Sequence, residues 1–312
     1  MDVHVRPRLA PKTAERYESL AAHVTRELGD AALADVNAFG LERIYAALGP
    51  RLSSRTIRHI HECIHSALAA AVRWDMIPRN AAALCRLPSY TRPEARALGF
   101  AETTDLIVAT ADTWVGPVVQ LAAATGARRG ELLALRWSDY NATAGTITIH
   151  SSVTVSHSEL TLKSTKNHQS RIVHVPESAI LALRRHGEQQ GRNKRRYRRT
   201  YRFDLDLIFA DARGNYLRPG SVTRAVTRLT RKAGLGNAGL HTLRHSHGSQ
   251  LLAAGIPLPA VSRRLGHSNV YVTATVYSHV LAGTKVGQRK PGTRRCDLRR
   301  RGRDPQQRSR CS

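Results

Sequence analysis

The sequence lacks long apolar runs, paired cysteines and a balancing set of acidic residues. No stretch of about 18 or more apolar residues occurs, so no membrane-spanning helix is predicted. The four cysteines are scattered and form no Cys-x-x-Cys pair, which disfavours a disulfide scaffold and a thiolate zinc finger. The N-terminus has no apolar segment typical of a secretory signal. These absences fit a reducing compartment, and we expect a cytoplasmic location.

Positive charge is abundant. The 312 residues include 49 Lys and Arg against 23 Asp and Glu, a formal net charge of +26. This composition favours a polyanionic partner. Residues 184–202 hold nine cations and one acidic residue, and residues 285–312 hold eleven cations and two acidic residues. Either run alone is equally typical of a solvated face or tail, so nucleic-acid binding has to be argued from other features.

The spacing of apolar residues predicts a mainly α-helical chain with a small antiparallel β-sheet. Residues 1–80 are predicted to form a small helical domain, 81–95 a proline-containing linker and 96–284 a larger domain. Residues 285–312 contain one large aliphatic residue after Val286, namely Leu298, and are predicted to be disordered. Helices are predicted at 12–28, 35–48, 53–75, 102–111, 115–124, 129–137, 177–186, 221–233, 241–254, 257–265 and 272–281, and strands at 146–150, 152–155, 171–175 and 207–211.

Four motifs carry candidate chemistry. They are TGARRGELLALRW (125–137), TKNHQSRIVHVP (165–176), HTLRHSHGSQLLAAG (241–255) and LGHSN (265–269), and Tyr277 follows the last histidine by ten residues. A single H-x-x-R occurs often by chance. The ordered set, over about residues 10–282, resembles the tyrosine recombinase, or phage-type integrase, family.

The resemblance implies a site-specific recombinase that cleaves and rejoins DNA through a 3′-phosphotyrosyl intermediate. Tyr277 would be the nucleophile, and the implied chemistry needs neither metal nor cofactor. Guanidinium groups suit a phosphorane transition state because their forked donors match its oxygens. The family pattern assigns this role to Arg128 and Arg244, general-acid catalysis to Lys166, proton acceptance or phosphate binding to His241, and a hydrogen bond to the phosphate to His267.

Three neighbouring residues are rivals for these roles. The Thr-Gly-x-Arg pattern favours Arg128 over Arg129, and the Thr-Lys-x-His-Gln-Ser-Arg context favours Lys166 over Lys163. Tyr271 lies six residues before Tyr277, so on one helix their side chains would point about 240° apart. The spacing from Leu-Gly-His selects Tyr277, and Tyr271 is predicted to pack in the protein.

Other polar residues of the motifs have structural explanations. Glu131, three residues after Arg128, is predicted to orient that arginine or its helix rather than to act as a base. His245 and His247 are predicted to serve helix packing or to lie at the surface.

The segment His61-Glu62-Cys63-Ile64-His65 matches the H-E-x-x-H pattern of zinc peptidases. It lies in the predicted small helical domain, and no third-ligand pattern follows. A zinc peptidase therefore remains only an alternative hypothesis.

The resemblance implies duplex DNA as the partner, with four protomers on two recombination sites and possible accessory DNA-bending or excision factors. Family members usually continue after the tyrosine helix with an apolar docking helix, and here an arginine-rich tail follows instead. An alternative expectation is therefore a truncated or decayed integrase that binds attachment-site DNA without completing recombination.

Overall fold

The computed structural model describes residues 9–91, 96–164 and 170–278. Over these residues the chain is mainly helical with small antiparallel sheets, which confirms the predicted fold class. No helix in the described ranges is long and apolar enough to cross a membrane.

The N-terminal part contains α1 (Pro11–Leu28), α2 (Ala38–Leu48) and α3 (Ser54–Arg73). The backbone N–H of Thr56 donates to the Ser53 side chain at 3.2 Å, so Ser53 caps α3. The apolar faces of these helices, with Leu41 and Ile60 fully buried, enclose a hydrophobic core that extends to Leu87.

The remaining described residues pack mainly around a second, larger core between Leu98 and Leu243. The elements of this part of the chain are α4 (Phe100–Thr110), α5 (Gly116–Thr125), α6 (Arg129–Leu132), β1 (Tyr140–Asn141), β2 (Thr146–Ile149), β3 (Ser151–Ser156), β4 (Glu159–Ser164), β5 (Arg171–His174), α7 (Glu177–Arg196), α8 (Pro219–Lys232), α9 (Leu240–Ala253), α10 (Leu258–Leu265) and α11 (Val270–Val276). Buried residues of α9 and α10 form a third, small cluster with Tyr277.

The strands form two small antiparallel sheets instead of the single predicted sheet. Strands β1, β2 and β5 form one sheet, in which Ile147 pairs with Val173. Strands β3 and β4 form a separate hairpin. This hairpin lies against α6, where a Cβ added to Gly130 would come within 2.5 Å of the Ser152 hydroxyl oxygen.

Two predicted elements between 129 and 211 are wrong. The helix predicted at 129–137 ends at Leu132, because the following leucines turn into the core and the Leu135 carbonyl accepts from the Ile208 N–H at 2.8 Å. The strand predicted at 207–211 consists only of isolated bridges, since Leu207 pairs with Arg136 alone.

Helix α7 continues to Arg196, ten residues beyond its predicted end. Gln190 explains the extension, because its buried side chain donates to the Leu207 carbonyl and accepts from the Trp137 indole N–H. The end of the helix predicted at 272–281 and the tail at 285–312 lie partly or wholly outside the described residues.

Two helices end at glycines in the left-handed region, Gly126 after α5 (φ +63) and Gly266 after α10 (φ +66). Side chains other than glycine are strained at such angles. Both turns lead directly into the sequence motifs, so the helix ends position the candidate site.

Candidate active site

The two helix-ending glycines each present a carbonyl oxygen to a candidate arginine. Arg244 donates to the Gly126 carbonyl at 2.8 Å, and Arg128 donates to the Gly266 carbonyl at 2.9 Å. A Cβ at Gly126 would lie 2.7 Å from the Leu265 side chain, so the turn is also closely packed. These bonds join segments more than 100 residues apart in the chain.

Glu131 pairs with Arg128 and also with a third arginine, Arg171. Its side chain is 3% exposed and accepts from Arg128 at 2.9 Å and from Arg171 at 2.5 Å. Burial alone would raise the pKa of Glu131, but the hydrogen bonds and charges of Arg171 and Arg128 outweigh it, and the pKa is lowered. The carboxylate therefore stays ionised and positions the arginines, as predicted for Arg128, rather than acting as a base.

Arg244 is the buried member of the group. It is 5% exposed, and its Nη2 has no hydrogen-bond partner among the described residues. Burial lowers its pKa to about 10, with a further contribution from the positive charge of Arg128. The guanidinium is still charged at neutral pH, so one buried cationic donor remains unsatisfied. Such a donor is costly unless an anion or another acceptor binds it.

Both candidate histidines are neutral at pH 7. Partial desolvation and then the charges of Arg244 and Arg128 lower the pKa of His241. The same causes lower the pKa of half-buried His267 to about 4. The Nδ1 of His267 lies 2.7 Å from the Thr273 hydroxyl, which fixes the orientation of the ring. Arg128, Arg244, His241 and His267 thus share one cationic region.

Tyr277 lies at the edge of this region with its hydroxyl enclosed. The residue is 1% exposed, and its ring stacks on His245 with centroids 4.9 Å apart and planes at 14°. The hydroxyl is 3.5 Å from the Arg244 carbonyl, and a Cβ added to Gly248 would lie 2.2 Å from its oxygen. Burial raises the pKa of Tyr277, although the charge of Arg244 opposes the shift.

Two of the rival residues point elsewhere. Tyr271 is 73% exposed, so the predicted packing role is wrong; it lies on the outer side of α11, away from the buried face that carries Thr273. Arg129 is exposed and donates to the Thr223 hydroxyl of α8 at 2.6 Å. Among the two neighbouring arginines, Arg128 is the one that contacts Glu131.

Lys166, the predicted general acid, lies outside the described residues. Its rival Lys163 is in β4, where it pairs with Ser152 of β3 beside α6. The hairpin is therefore next to α6, the helix that Arg128 directly precedes.

The other two histidines of α9 are buried, in agreement with the predicted packing role. His245 stacks on Tyr277, and His247 accepts from the Arg264 Nε at 2.9 Å. Desolvation and then the charge of Arg264 lower the pKa of His247 to about 4.

The H-E-x-x-H segment lies within α3. The Nδ1 of His61 is 3.2 Å from the Tyr45 hydroxyl, and the two histidine rings of the motif are 6.0 Å apart. In the described ranges, no three His, Cys, Asp or Glu side chains are grouped so that they could hold a metal ion.

Arg171 is the site residue that sequence reasoning missed. Besides contacting Glu131, it donates to the Arg264 carbonyl at 3.0 Å, and its guanidinium lies within 2.8 Å of the position of a Cβ on Gly266. The available signal was a charged residue opening the apolar strand RIVH (β5). That signal is weak, because its partners are 40 and 93 residues away in sequence.

Comparison with known proteins identifies the family of the chain. Residues 96–283 match the phage integrase family. The chain is 32% identical over 265 residues to an integrase of Streptomyces ambofaciens. The alignment covers 82% of this chain and 68% of that relative. The chain therefore belongs to the phage integrase family. It is a tyrosine-type site-specific recombinase.

Two solved structures share the fold. A Tn1549 transposon integrase in complex with a circular intermediate DNA aligns with a TM-score of 0.74 and 18% identity, over 90% of this chain and 95% of that one. A lambda integrase tetramer bound to a Holliday junction aligns with a TM-score of 0.65 and 20% identity, over 86% of this chain and 72% of that one.

Proposed function

We propose that Tyr277 attacks a phosphodiester of duplex DNA. A bond forms between the phenolic oxygen and phosphorus, and the bond from phosphorus to the 5′-oxygen breaks. The products are a 3′-phosphotyrosyl bond and a free 5′-hydroxyl. The phenolic proton passes to His241, and Lys166 protonates the leaving oxygen. Because the phosphodiester energy is kept in the covalent intermediate, the reverse attack rejoins the strand without ATP.

The unsatisfied guanidinium of Arg244 is the observation that carries this proposal. A buried, charged donor without a partner is suited to an anion that arrives with the substrate. Arg128 is held beside it by Glu131 and the Gly266 carbonyl, so both arginines are oriented before the substrate binds. Preorganised charge of this kind supports stabilisation of a phosphorane transition state.

The lowered histidine pKa values support the proton transfers. A neutral His241 can accept the phenolic proton at pH 7. If the Thr273 hydroxyl donates to Nδ1 of His267, the ring proton lies on Nε2 and can be donated to a phosphate oxygen.

Attack requires Tyr277 to leave its enclosure. Its hydroxyl is packed against Gly248 and the backbone of α9, and burial raises its pKa. A shift of α11 would bring the phenol to the phosphate, where Arg128 and Arg244 would lower the cost of ionisation. We propose that DNA binding drives this shift.

The two larger hydrophobic cores support the assignment of different functions to the N-terminal and C-terminal parts of the chain. We assign DNA binding to the N-terminal helical unit, whose core extends to Leu87 and not only to residue 80, and catalysis to residues 96–284, with both units holding one duplex. Four protomers on two sites would exchange strands, a proposal supported by the lambda integrase tetramer on a Holliday junction. With duplex DNA as the proposed substrate, we propose that the protein acts in the cytoplasm.

The test is capture of the covalent adduct on nicked attachment-site DNA. Wild-type protein should form a slow band on a denaturing gel, and Tyr277→Phe should bind the DNA but form no band. The matched control, Tyr271→Phe, should form the adduct normally. The adduct should persist in EDTA, since arginines supply the positive charge. A band from the Tyr277 variant would overturn the assignment of the nucleophile.

A further inference from the structure

A cluster of exposed arginines lies on the C-terminal half of α7 and the turn that follows. We name it the α7 arginine cluster, and its members are Arg192, Arg195, Arg196, Arg198 and Arg199. None of the five forms an ion pair with a described acidic residue. Glu188 is the single acidic residue between 184 and 199. The cluster therefore carries nearly all of its charge uncompensated.

Helix stability does not explain this charge. Cations in the last turn of a helix gain about 0.3–1 kcal/mol from the helix dipole, which applies to Arg195 and Arg196. Arg192 lies before the last turn of the helix, and Arg198 and Arg199 lie beyond its end. Arginines four residues apart, such as Arg192 and Arg196, also repel one another. A negatively charged binding partner would account for the positive charge of the cluster, which helix stability does not explain.

The cluster is remote from the candidate active site. Gln120 in the middle of α5 donates to the Ser178 carbonyl near the start of α7 at 2.9 Å. Further along α7, Asn193 lines a cleft of about 820 Å³ together with Gly116 at the first turn of α5. Helix α7 thus runs toward the N-terminal end of α5, whereas Arg244 binds the carbonyl of Gly126 at the other end.

The rise of the helix gives the scale of the separation. At about 1.5 Å per residue, the end of α7 lies about 27 Å beyond Ser178 along the helix axis. The candidate active site lies in the opposite direction from Ser178. The separation is therefore on the order of 30 Å, close to one helical turn of B-DNA, about 34 Å. The arginines cannot serve the phosphate held by Arg244.

We propose that the α7 arginine cluster is a second, sequence-independent contact for duplex DNA, outside the segment held at the active site. This proposal rests on the proposed function, which makes duplex DNA the substrate. Duplex DNA carries a charge about every 1.7 Å along its axis, and guanidinium groups pair with phosphate through forked hydrogen bonds. A row of arginines along a helix and its following turn matches such a target. The contact would hold flanking DNA beside the recombination site.

The test compares two duplexes of random sequence, 12 and 40 base pairs long, over 50–200 mM KCl. The cluster variant carries R192Q, R195Q, R196Q and R199Q. The control variant carries R16Q, R26Q, R55Q and R79Q, which change the net charge equally at exposed arginines outside α7. Each lost phosphate contact lowers the log–log salt slope by about 0.9. Between 50 and 200 mM KCl, the affinity of the wild type for the long duplex should therefore lose a further factor on the order of 100 compared with the loss shown by the cluster variant.

The short duplex should separate the two variants. The cluster variant should bind it nearly as wild type does, and the control variant should change both duplexes by the same factor. The proposal is overturned if the cluster variant behaves like wild type on the long duplex, or if it weakens both duplexes equally. Covalent adduct formation at Tyr277 should be unchanged in the cluster variant. Loss of salt-dependent binding or adduct by wild-type protein would instead refute the proposed function.

Discussion

Replacing Gly248 by alanine tests the enclosure of Tyr277 directly. The added Cβ would lie 2.2 Å from the Tyr277 hydroxyl oxygen and 2.4 Å from Cζ. The ring has no room behind it, because its other face stacks on His245. To relieve this short contact, α11 would have to move away from α9 by about 1 Å, or the Tyr277 side chain would have to leave its position in the closely packed core.

Two opposing effects determine how much Gly248→Ala changes the free energy of unfolding. Overpacking of this kind costs about 1–3 kcal/mol, and the short contact favours the upper end. Alanine in a helix interior stabilises the helix by about 1 kcal/mol relative to glycine. The net loss of stability should be about 2 kcal/mol. In a Tyr277→Ala background the clash is gone, so the same substitution should stabilise the protein by about 1 kcal/mol.

The assay is urea unfolding of the four proteins of this double-mutant cycle, followed by circular dichroism. Tyr277→Ala alone should be destabilising by about 3–5 kcal/mol, in line with removal of a large buried aromatic side chain. The diagnostic result is a reversal in the sign of the Gly248→Ala effect between the two backgrounds. An effect of equal sign and size in both would refute the contact between Gly248 and the tyrosine.

Three further predictions follow from the site. Arg128→Ala and Arg244→Ala should each abolish cleavage but leave DNA binding largely intact, as measured by adduct gels and by anisotropy; equal loss of binding would make them positioning residues. Arg171→Ala should cost about 1.5–3 kcal/mol, because it removes one of the two arginines that pair with the buried carboxylate of Glu131. Arg171→Ala combined with Glu131→Gln should recover part of that loss in urea unfolding, whereas a merely additive pair would contradict the network. The folded pKa of His267, about 4, lies below its value in the unfolded chain, about 6.5, so the unfolded chain binds more protons between these pH values and stability should fall as pH drops through that window. His267→Gln should make the fall shallower, and an unchanged pH profile would argue against burial of this ring.

The sequence by itself determined the helical character of the chain and the identity of most candidate site residues. Local signals were sufficient for these features. Ser53 caps α3, and Gly234, Gly255 and Gly266 adopt positive φ directly after helical runs, where the sequence pattern favours such residues. These features depend on interactions within one or two turns of the chain.

Other features were decided by the tertiary structure. The helix after Arg128 stops at Leu132 because Leu133 and Leu135 are drawn into the core, which overrides their helical propensity. Helix α7 passes its predicted end because a buried glutamine finds partners on a distant loop. Periodicity in sequence cannot report either contact.

The inner structure of the site was also outside the reach of the sequence. Arg171 meets Glu131 across 40 residues, and Arg128 meets the Gly266 carbonyl across 138. The enclosure of Tyr277 depends on how α11 packs against α9. Motifs identify which residues can do chemistry, because side-chain chemistry is local. Which of them are held, buried or left unpaired depends on contacts that exist only after distant segments have packed together.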